Sequence, residues 1–153
     1  MKKRVAFIIE ILTIVSFVFA SRIVIIGETN PTEIFMLKDW KKIYENYSPD
    51  LGTVDKIKKF TKDVSAEIYL GTWCKDSRNN VPKLIKIFEF LPDIKVKYVA
   101  VIWRSCDKSG IYKKMDLKRI PTIVFYRNGK EVGRIIENPV KTLEKDILDI
   151  LSK

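Results

Sequence analysis

The sequence predicts an α/β fold in which helices flank a central mixed sheet of parallel strands and a C-terminal antiparallel hairpin. Three observations indicate this fold. Helix-like and strand-like apolar patterns follow one another in the order β-α-β-α-β-β-α. The run KVKYVAVIW, residues 95–103, is apolar throughout its second half, as a buried parallel strand should be. Asn128 and Gly129 separate two β-rich runs, which is a strong hairpin signal.

The predicted elements follow in order along the chain. After Pro31, apolar residues recur at helical spacing and predict one helix, which the turn sequence SPDLG ends. The predicted helices and strands are a helix at 32–47, a short helix at 54–61, a strand at 66–71, a helix at 76–91, the strand at 95–103, a polar stretch at 107–115 with room for a short helix, the hairpin at 122–136, and a closing helix whose apolar face holds Val140, Leu143, Ile147, Ile150 and Leu151. The chain is therefore divided into a signal peptide or membrane anchor (1–20), an N-terminal extension with one helix (21–52) and a main domain (53–153).

The N-terminus has the features of an export signal. The basic residues Lys2, Lys3 and Arg4 precede the apolar run at 5–20, and Val18 and Ala20 fit the positions before a cleavage site. As a helix this run spans about 24 Å, whereas a bilayer core needs about 30 Å, and this favours a cleaved signal over a retained anchor. In both cases the rest of the chain is exported, to the periplasm or a similar extracytoplasmic space. A buried soluble helix is the third reading.

The composition excludes several classes of chemistry. The chain has no histidine and only two cysteines, so His-dependent catalysis and a structural zinc site of four Cys and His ligands are excluded. We expect no metal and no cofactor. The formal net charge of +10 comes from lysines and arginines spread along the chain. This spread is typical of a solvated surface, and we expect no binding of nucleic acid.

Cys74 is the candidate nucleophile. It lies where a predicted strand gives way to a helix, and the positive end of the helix dipole, with Lys75 and Arg78, favours a thiolate there. Asp76 opposes this effect, and Ser77, one turn later, can donate a hydrogen bond to the sulfur. The alternative is a cysteine that only packs as a small core residue.

Two segments carry a resemblance to a known family. GTWCKDSRNNVP at 71–82 and RIPTIVFYRNGKEVGRI at 119–135 together resemble the thioredoxin superfamily, in particular its exported bacterial members. The resemblance covers about residues 53–153 and implies a thioredoxin-like fold. In that family a Trp-Cys pair opens the active-site helix, a proline lies within the helix, and a cis-proline before the hairpin faces the cysteine.

The resemblance also implies roles for particular residues. Cys74 would be the nucleophile, with Trp73 beside it and Ser77 at the end of the motif. Pro121 would be cis and would hold a strand edge open for the substrate backbone. The substrate-binding residues would be Ile120, which supplies backbone groups, together with Pro121 and Thr122.

The sequence departs from the family pattern at two positions. Ser77 stands where the second cysteine of C-x-x-C is usual, so a mixed disulfide on Cys74 must wait for another thiol. Ile68 stands where the family has a buried acid, and Glu67 is predicted on the opposite strand face. Cys106, the possible secondary thiol, is expected in a loop on the active-site side, without a bond to Cys74.

These features predict an exported, monomeric thiol–disulfide oxidoreductase that acts through Cys74 on cysteine-containing proteins or low-molecular-weight thiols. One alternative is a redox-inactive binding or chaperone-like module that retains the peptide-pairing edge. Another is an accessory subunit of a redox assembly, tethered to a membrane through residues 5–20. Replacement of Cys74 by serine separates the first two, because a redox role is lost and a binding role survives.

Overall fold

The computed structural model describes residues 24–153, so the signal peptide or anchor predicted at 1–20 lies outside the described residues. Within 24–153 no helix is both long enough and apolar enough to cross a membrane. The strands are β1 (Gly27–Thr29), β2 (Val64–Leu70), β3 (Lys95–Ala100), β4 (Thr122–Arg127) and β5 (Lys130–Ile136). The α-helices are α1 (Pro31–Ile34), α2 (Lys38–Asn46), α3 (Leu51–Ile57), α4 (Lys75–Glu89), α5 (Ile111–Lys114) and α6 (Leu143–Leu151). Single 3-10 turns lie at Lys58–Phe60 and Arg104–Cys106.

The five strands form one mixed sheet in the order β1-β3-β2-β4-β5. Strands β2 and β3 are parallel, with Leu70 opposite Ala100, and the other three pairings are antiparallel. This confirms the predicted α/β fold with parallel strands and a C-terminal hairpin. The sequence did not predict β1, because three residues are too few for a strand pattern and β1 is defined only by its pairing with β3.

The main hydrophobic core lies on one face of the sheet. Alternate residues of β2, including Ile68, point to this face and pack against helices α2, α3, α4 and α6. A smaller cluster lies on the opposite face, where Tyr112 of α5 and Leu117 cover Val99 and Val124. Trp73 and Cys74 pack at the border of this smaller cluster, which places the candidate nucleophile at one end of the sheet.

The structure corrects three predicted elements. The single helix predicted at 32–47 is two helices, α1 and α2, because Leu37, the residue before α2, has an extended backbone. The apolar spacing continues across the break since both helices face the same core. Helix α3 begins three residues earlier than predicted, because the Asp50 side chain caps it by accepting from the Thr53 N–H. Val140 is not on the apolar face of α6: it precedes that helix and is 93% exposed.

Candidate active site at Cys74

Cys74 occupies the N-cap position of α4, at the turn that follows β2. Its backbone is extended, its N–H donates to the Gly71 carbonyl at 2.9 Å, and its carbonyl accepts from the Arg78 N–H at 3.0 Å. The side chain is half-buried. The sulfur therefore lies at the positive end of a 15-residue helix.

The Cys74 sulfur contacts the loop that precedes β4. Its thiol donates to the Ile120 carbonyl with an Sγ–O distance of 3.4 Å, across 46 residues of sequence. The Ile120–Pro121 peptide is cis, as the resemblance implied. Thr122 is fully buried, and its hydroxyl donates to the Arg119 carbonyl at 2.6 Å, which fixes the turn. The predicted nucleophile and the predicted substrate-binding residues thus meet at one end of the sheet.

Ser77 has a different hydrogen bond from the expected one. Its side chain is fully buried, and its hydroxyl accepts from the Gly71 N–H at 3.1 Å rather than donating to the Cys74 sulfur. The Gly71 N–H is available because β2 has just ended, and the first turn of α4 faces it. Ser77 therefore joins the start of the active-site helix to the end of the central strand.

An aromatic pair lies beside the cysteine. The Trp73 indole N–H donates to the Val101 carbonyl at 3.2 Å, and its ring stacks on Trp103 with centroids 5.0 Å apart and planes 19° apart. Trp103 is 43% exposed. The sequence reasoning missed Trp103. The rule that parallel neighbours end at the same sheet edge could have found it, since Trp103 follows β3 as Trp73 follows β2.

Cys106 follows β3, and it therefore lies towards the end of the sheet where Cys74 follows the parallel strand β2. It is exposed, it ends the 3-10 turn after Trp103, and neither it nor Cys74 forms a disulfide. Three side-chain bonds hold this loop. The Arg104 guanidinium donates to the Leu117 carbonyl and, at 2.8 Å, to the Lys118 carbonyl, and the Tyr112 hydroxyl donates to the Ile102 carbonyl at 2.7 Å. Cys106 is thus carried on an anchored loop.

A polar network holds the other side of the site. Asn80 is buried, and its amide donates to the Glu137 carbonyl and to the Asn138 side chain, both at 2.9 Å. Asn138 donates in turn to Asp76 at 3.3 Å, and the Glu137 N–H donates to the Pro121 carbonyl at 2.6 Å. The loop after β5 therefore bridges α4 and the cis-proline. Sequence patterns carried no signal for these contacts.

The structure agrees with the prediction for Ile68 and Glu67, which lie on opposite faces of β2. Ile68 is fully buried on the α4 side, whereas Glu67 faces away and accepts hydrogen bonds from Tyr69 at 2.6 Å and Tyr126 at 3.2 Å. Burial, followed by the Glu67 charge, raises the pKa of Tyr126 to about 12, and burial also raises the pKa of Tyr69. Both hydroxyls therefore keep their protons and act as donors at neutral pH. Among residues 24–153, no group of three or more Cys, Asp and Glu side chains is placed to hold a metal ion.

A cysteine that begins a helix after a central parallel strand, and that faces a cis-proline before an antiparallel hairpin, defines a thioredoxin-like domain. Residues 34–148 match the thioredoxin family model, so the chain belongs to the thioredoxin family. The fold and the family are consistent with thiol–disulfide oxidoreductase chemistry.

The chain is also similar to individual proteins. Over 85 residues the chain is 31% identical to mitochondrial thioredoxin-3 of Saccharomyces cerevisiae, a match that covers 54% of this chain and about three fifths (61%) of that protein. A crystal structure of a Pseudomonas aeruginosa protein of unknown function has a TM-score of 0.55 at 17% identity, over 81% of this chain and 84% of that one. An HIV epitope-scaffold has a TM-score of 0.58 at 16% identity, over 83% and 92%. The last two similarities concern the fold alone.

Proposed function

We propose that the protein is an exported thiol–disulfide oxidoreductase that works through the single nucleophile Cys74. The observation that carries this proposal is the contact between the Cys74 sulfur, at the start of α4, and the Ile120 carbonyl beside the cis-proline. The substrates are disulfides of cysteine-containing proteins or of low-molecular-weight thiols. Export is supported by the basic residues and apolar run at 1–20.

The reaction is an exchange in two steps. The Cys74 thiolate attacks one sulfur of a substrate disulfide, so that a Cys74–substrate disulfide forms and the other sulfur leaves as a thiolate. A second thiolate, from a protein or a small thiol, then attacks the sulfur of the bound substrate and releases Cys74. Ser77 cannot perform this release, because its hydroxyl is not a redox group and is bound to Gly71.

The backbone beside the cysteine provides the substrate contact. In the free protein the Ile120 carbonyl accepts a hydrogen bond from the Cys74 thiol. When Cys74 is in a mixed disulfide it has no proton to donate, so this carbonyl is free to accept a backbone N–H of the substrate. Thr122 and Arg119 keep the turn in place while the substrate pairs along it.

The direct test compares the two cysteines with a small aromatic disulfide as the probe. We expect the wild type to form an adduct on Cys74 and Cys74→Ser to form none at that position, as measured by intact-mass and peptide mass spectrometry. Cys106→Ala is the matched control and should form the Cys74 adduct at the wild-type rate, without the slower adduct on the exposed Cys106. Equal adduct formation on Cys74→Ser and the wild type would show that Cys74 is not the nucleophile.

An adduct on Cys74 should persist because the active-site motif contains only this one thiol. A mixed disulfide on Cys74 should remain until an external thiol is added, and Cys106→Ala should not change its lifetime. Cys106 is exposed on an anchored loop, so it meets solvent rather than the Cys74 sulfur. A Cys74–Cys106 linked peptide as the main oxidised monomeric species would contradict this.

The second candidate is a redox-inactive binding module, and Ser77 at the position of the second cysteine favours it. The substrate edge at Ile120 would then bind peptides without exchange. In that case Cys74→Ser would bind an unfolded, cysteine-free polypeptide as the wild type does. The oxidoreductase predicts capture that depends on the substrate cysteine.

A further inference from the structure

The chain enters the fold at the active-site end of the sheet. Strand β1 runs antiparallel to β3, and its first residue, Gly27, lies opposite Ala100. Ala100 lies opposite Leu70, the last residue of β2. Two strand spacings of about 4.8 Å separate Gly27 from Leu70 in the plane of the sheet, or about 10 Å. The segment before Gly27 therefore reaches the sheet at the same edge as Cys74.

The direction of this entry is fixed by packing. Ile25 is half-buried and packs against the main hydrophobic core, whereas its neighbours Val24 and Ile26 are exposed. Trp103, which is also exposed, follows β3 at the same edge and stacks on Trp73. Exposed aliphatic and Trp side chains at one edge are suited to the interface between a membrane and water.

The link between the apolar run at 5–20 and β1 is short, and a short link holds the active-site edge close to a membrane that contains the run. The apolar run at 5–20 is followed by only six residues, 21–26, before β1 begins. Six extended residues reach at most about 20 Å. Cys74 lies at the edge where the chain enters the sheet. It is then nearer to the bilayer than the opposite end of β2, because β2 spans about 20 Å over its six steps from residue to residue.

We propose that residues 5–20 are retained as a membrane anchor rather than cleaved, and that the active-site edge faces the lipid surface. A helix about 6 Å shorter than the bilayer core is accommodated by local thinning of the bilayer and by basic flanking residues that reach its surface. The substrates are then disulfides held close to the bilayer, such as those next to the membrane-spanning segment of another protein. This inference rests on the proposed function, in which Cys74 is the reacting thiol. The reaction is the same exchange, and only the location of the substrate disulfide is added.

The experiment uses the full chain reconstituted in phosphatidylcholine–phosphatidylglycerol vesicles. A lipid whose headgroup carries a pyridyl disulfide serves as the membrane probe, and a soluble pyridyl disulfide serves as the reference. Attack by a thiolate forms the mixed disulfide and releases pyridine thione, which is followed by absorbance. The measured quantity is the rate with the lipid probe divided by the rate with the soluble probe, in a Cys106→Ala background.

The matched control places the thiol at the other end of the sheet. Lys62 is exposed in the turn before β2, so Lys62→Cys combined with Cys74→Ser and Cys106→Ala moves the reacting group away from the entry edge. We expect the rate ratio for Cys74 to exceed that of the control by about tenfold, because a short tether raises the effective concentration of the nearer thiol. A flexible Gly/Ser insertion of about 20 residues after residue 20 should bring the two ratios together.

The other outcomes of the vesicle experiment distinguish failure of this inference from failure of the proposed function. Equal ratios for the two thiols, no effect of the insertion, or failure of the full chain to float with the vesicles would each overturn the inference. In these three cases a normal rate of Cys74 with the soluble probe leaves the proposed function standing. A Cys74 that reacts with neither probe would overturn the proposed function itself.

Discussion

At the scale of single residues, Ser77 distinguishes this site from a dithiol pair. It is fully buried one helical turn after Cys74, and its hydroxyl has a defined partner in the Gly71 N–H. A cysteine at this position has nearly the same volume as serine, and its sulfur can remain a weak acceptor for that N–H. The position can therefore be changed without opening a cavity.

We predict that Ser77→Cys converts the slow release of mixed disulfides into a fast one. The introduced thiol lies within one helical turn of Cys74, so it can attack the mixed disulfide from within the protein and form an internal disulfide with Cys74. The lifetime of a small-disulfide adduct, followed by mass spectrometry, should fall by at least about tenfold. Ser77→Ala is the control and should keep the long lifetime; an equally short lifetime for it would refute the argument.

Gly71 is a second residue whose identity the site requires. A Cβ at this position would lie 2.7 Å from the Ile120 side chain and 2.9 Å from the Trp73 ring, closer than van der Waals contact allows. Gly71→Ala should therefore displace both neighbours of Cys74, lower the free energy of unfolding by about 1–3 kcal/mol, and slow exchange at Cys74.

Gly133→Ala provides the comparison for Gly71→Ala. Its Cβ would lie 2.9 Å from the Ile150 side chain, a similar crowding at a position on β5 facing α6. We expect a comparable loss of stability in urea unfolding and an unchanged rate with the soluble disulfide probe. Similar slowing in both variants would mean that lost stability, rather than the displaced neighbours of Cys74, limits the rate.

At the scale of elements, the N-terminal extension is joined to the last helix by a buried carboxylate. Glu144 of α6 is 2% exposed and accepts from the Tyr47 hydroxyl at 2.6 Å and from the Asp50 N–H at 3.1 Å. These bonds connect the end of α2 and the start of α3 to α6. A buried carboxylate that loses one of its donors is costly, because its desolvation is no longer compensated.

We predict that Tyr47→Phe lowers the free energy of unfolding by about 1–3 kcal/mol. Tyr44→Phe is the matched control, since its hydroxyl donates to Glu89 at the exposed surface at 2.7 Å. Its loss should cost less than about 1 kcal/mol, because water can replace the missing donor. Urea unfolding of the two variants measures the difference, and equal losses would show that burial of Glu144 does not set the cost.

The sequence predicted elements whose signals are local. The hairpin followed from Asn128 and Gly129, and the parallel pair from two apolar runs, whereas the meeting of Cys74 with Pro121 was implied by the family resemblance. Strand β1 and the break between α1 and α2 could not be predicted, because they are defined by pairing and packing with distant residues. The same holds for the Asn80 network and for the Trp73–Trp103 stack, which depend on how separate elements meet in space.

At the scale of the whole molecule, three tyrosines in the sheet and the N-terminal extension stay protonated, and therefore neutral, to an unusually high pH. Burial is the largest cause that raises the pKa of Tyr47, Tyr69 and Tyr98, and the nearby carboxylates of Glu144, Glu67 and Glu89 raise it further. In the unfolded chain these tyrosines ionise near pH 10. The folded protein therefore keeps protons at alkaline pH that the unfolded chain has already lost.

The sign of the pH dependence follows from this difference. Stability from the raised pKa values is fully present below pH 10 and is lost as the pH rises towards the pKa values of the folded state, because the unfolded chain then binds fewer protons. Each such tyrosine contributes a slope of at most about 1.4 kcal/mol per pH unit. The free energy of unfolding from urea titrations should be level around neutral pH and fall above about pH 10.

Tyr98→Phe isolates one of these groups, since its side chain is 7% exposed and burial is the leading cause of its raised pKa. Lysines also lose their charge in this range, but they do so equally in the wild type and the variant. The fall above about pH 10 should therefore be shallower in Tyr98→Phe by up to about 1.4 kcal/mol per pH unit. Parallel curves for the two proteins would show that Tyr98 ionises alike in the folded and unfolded states.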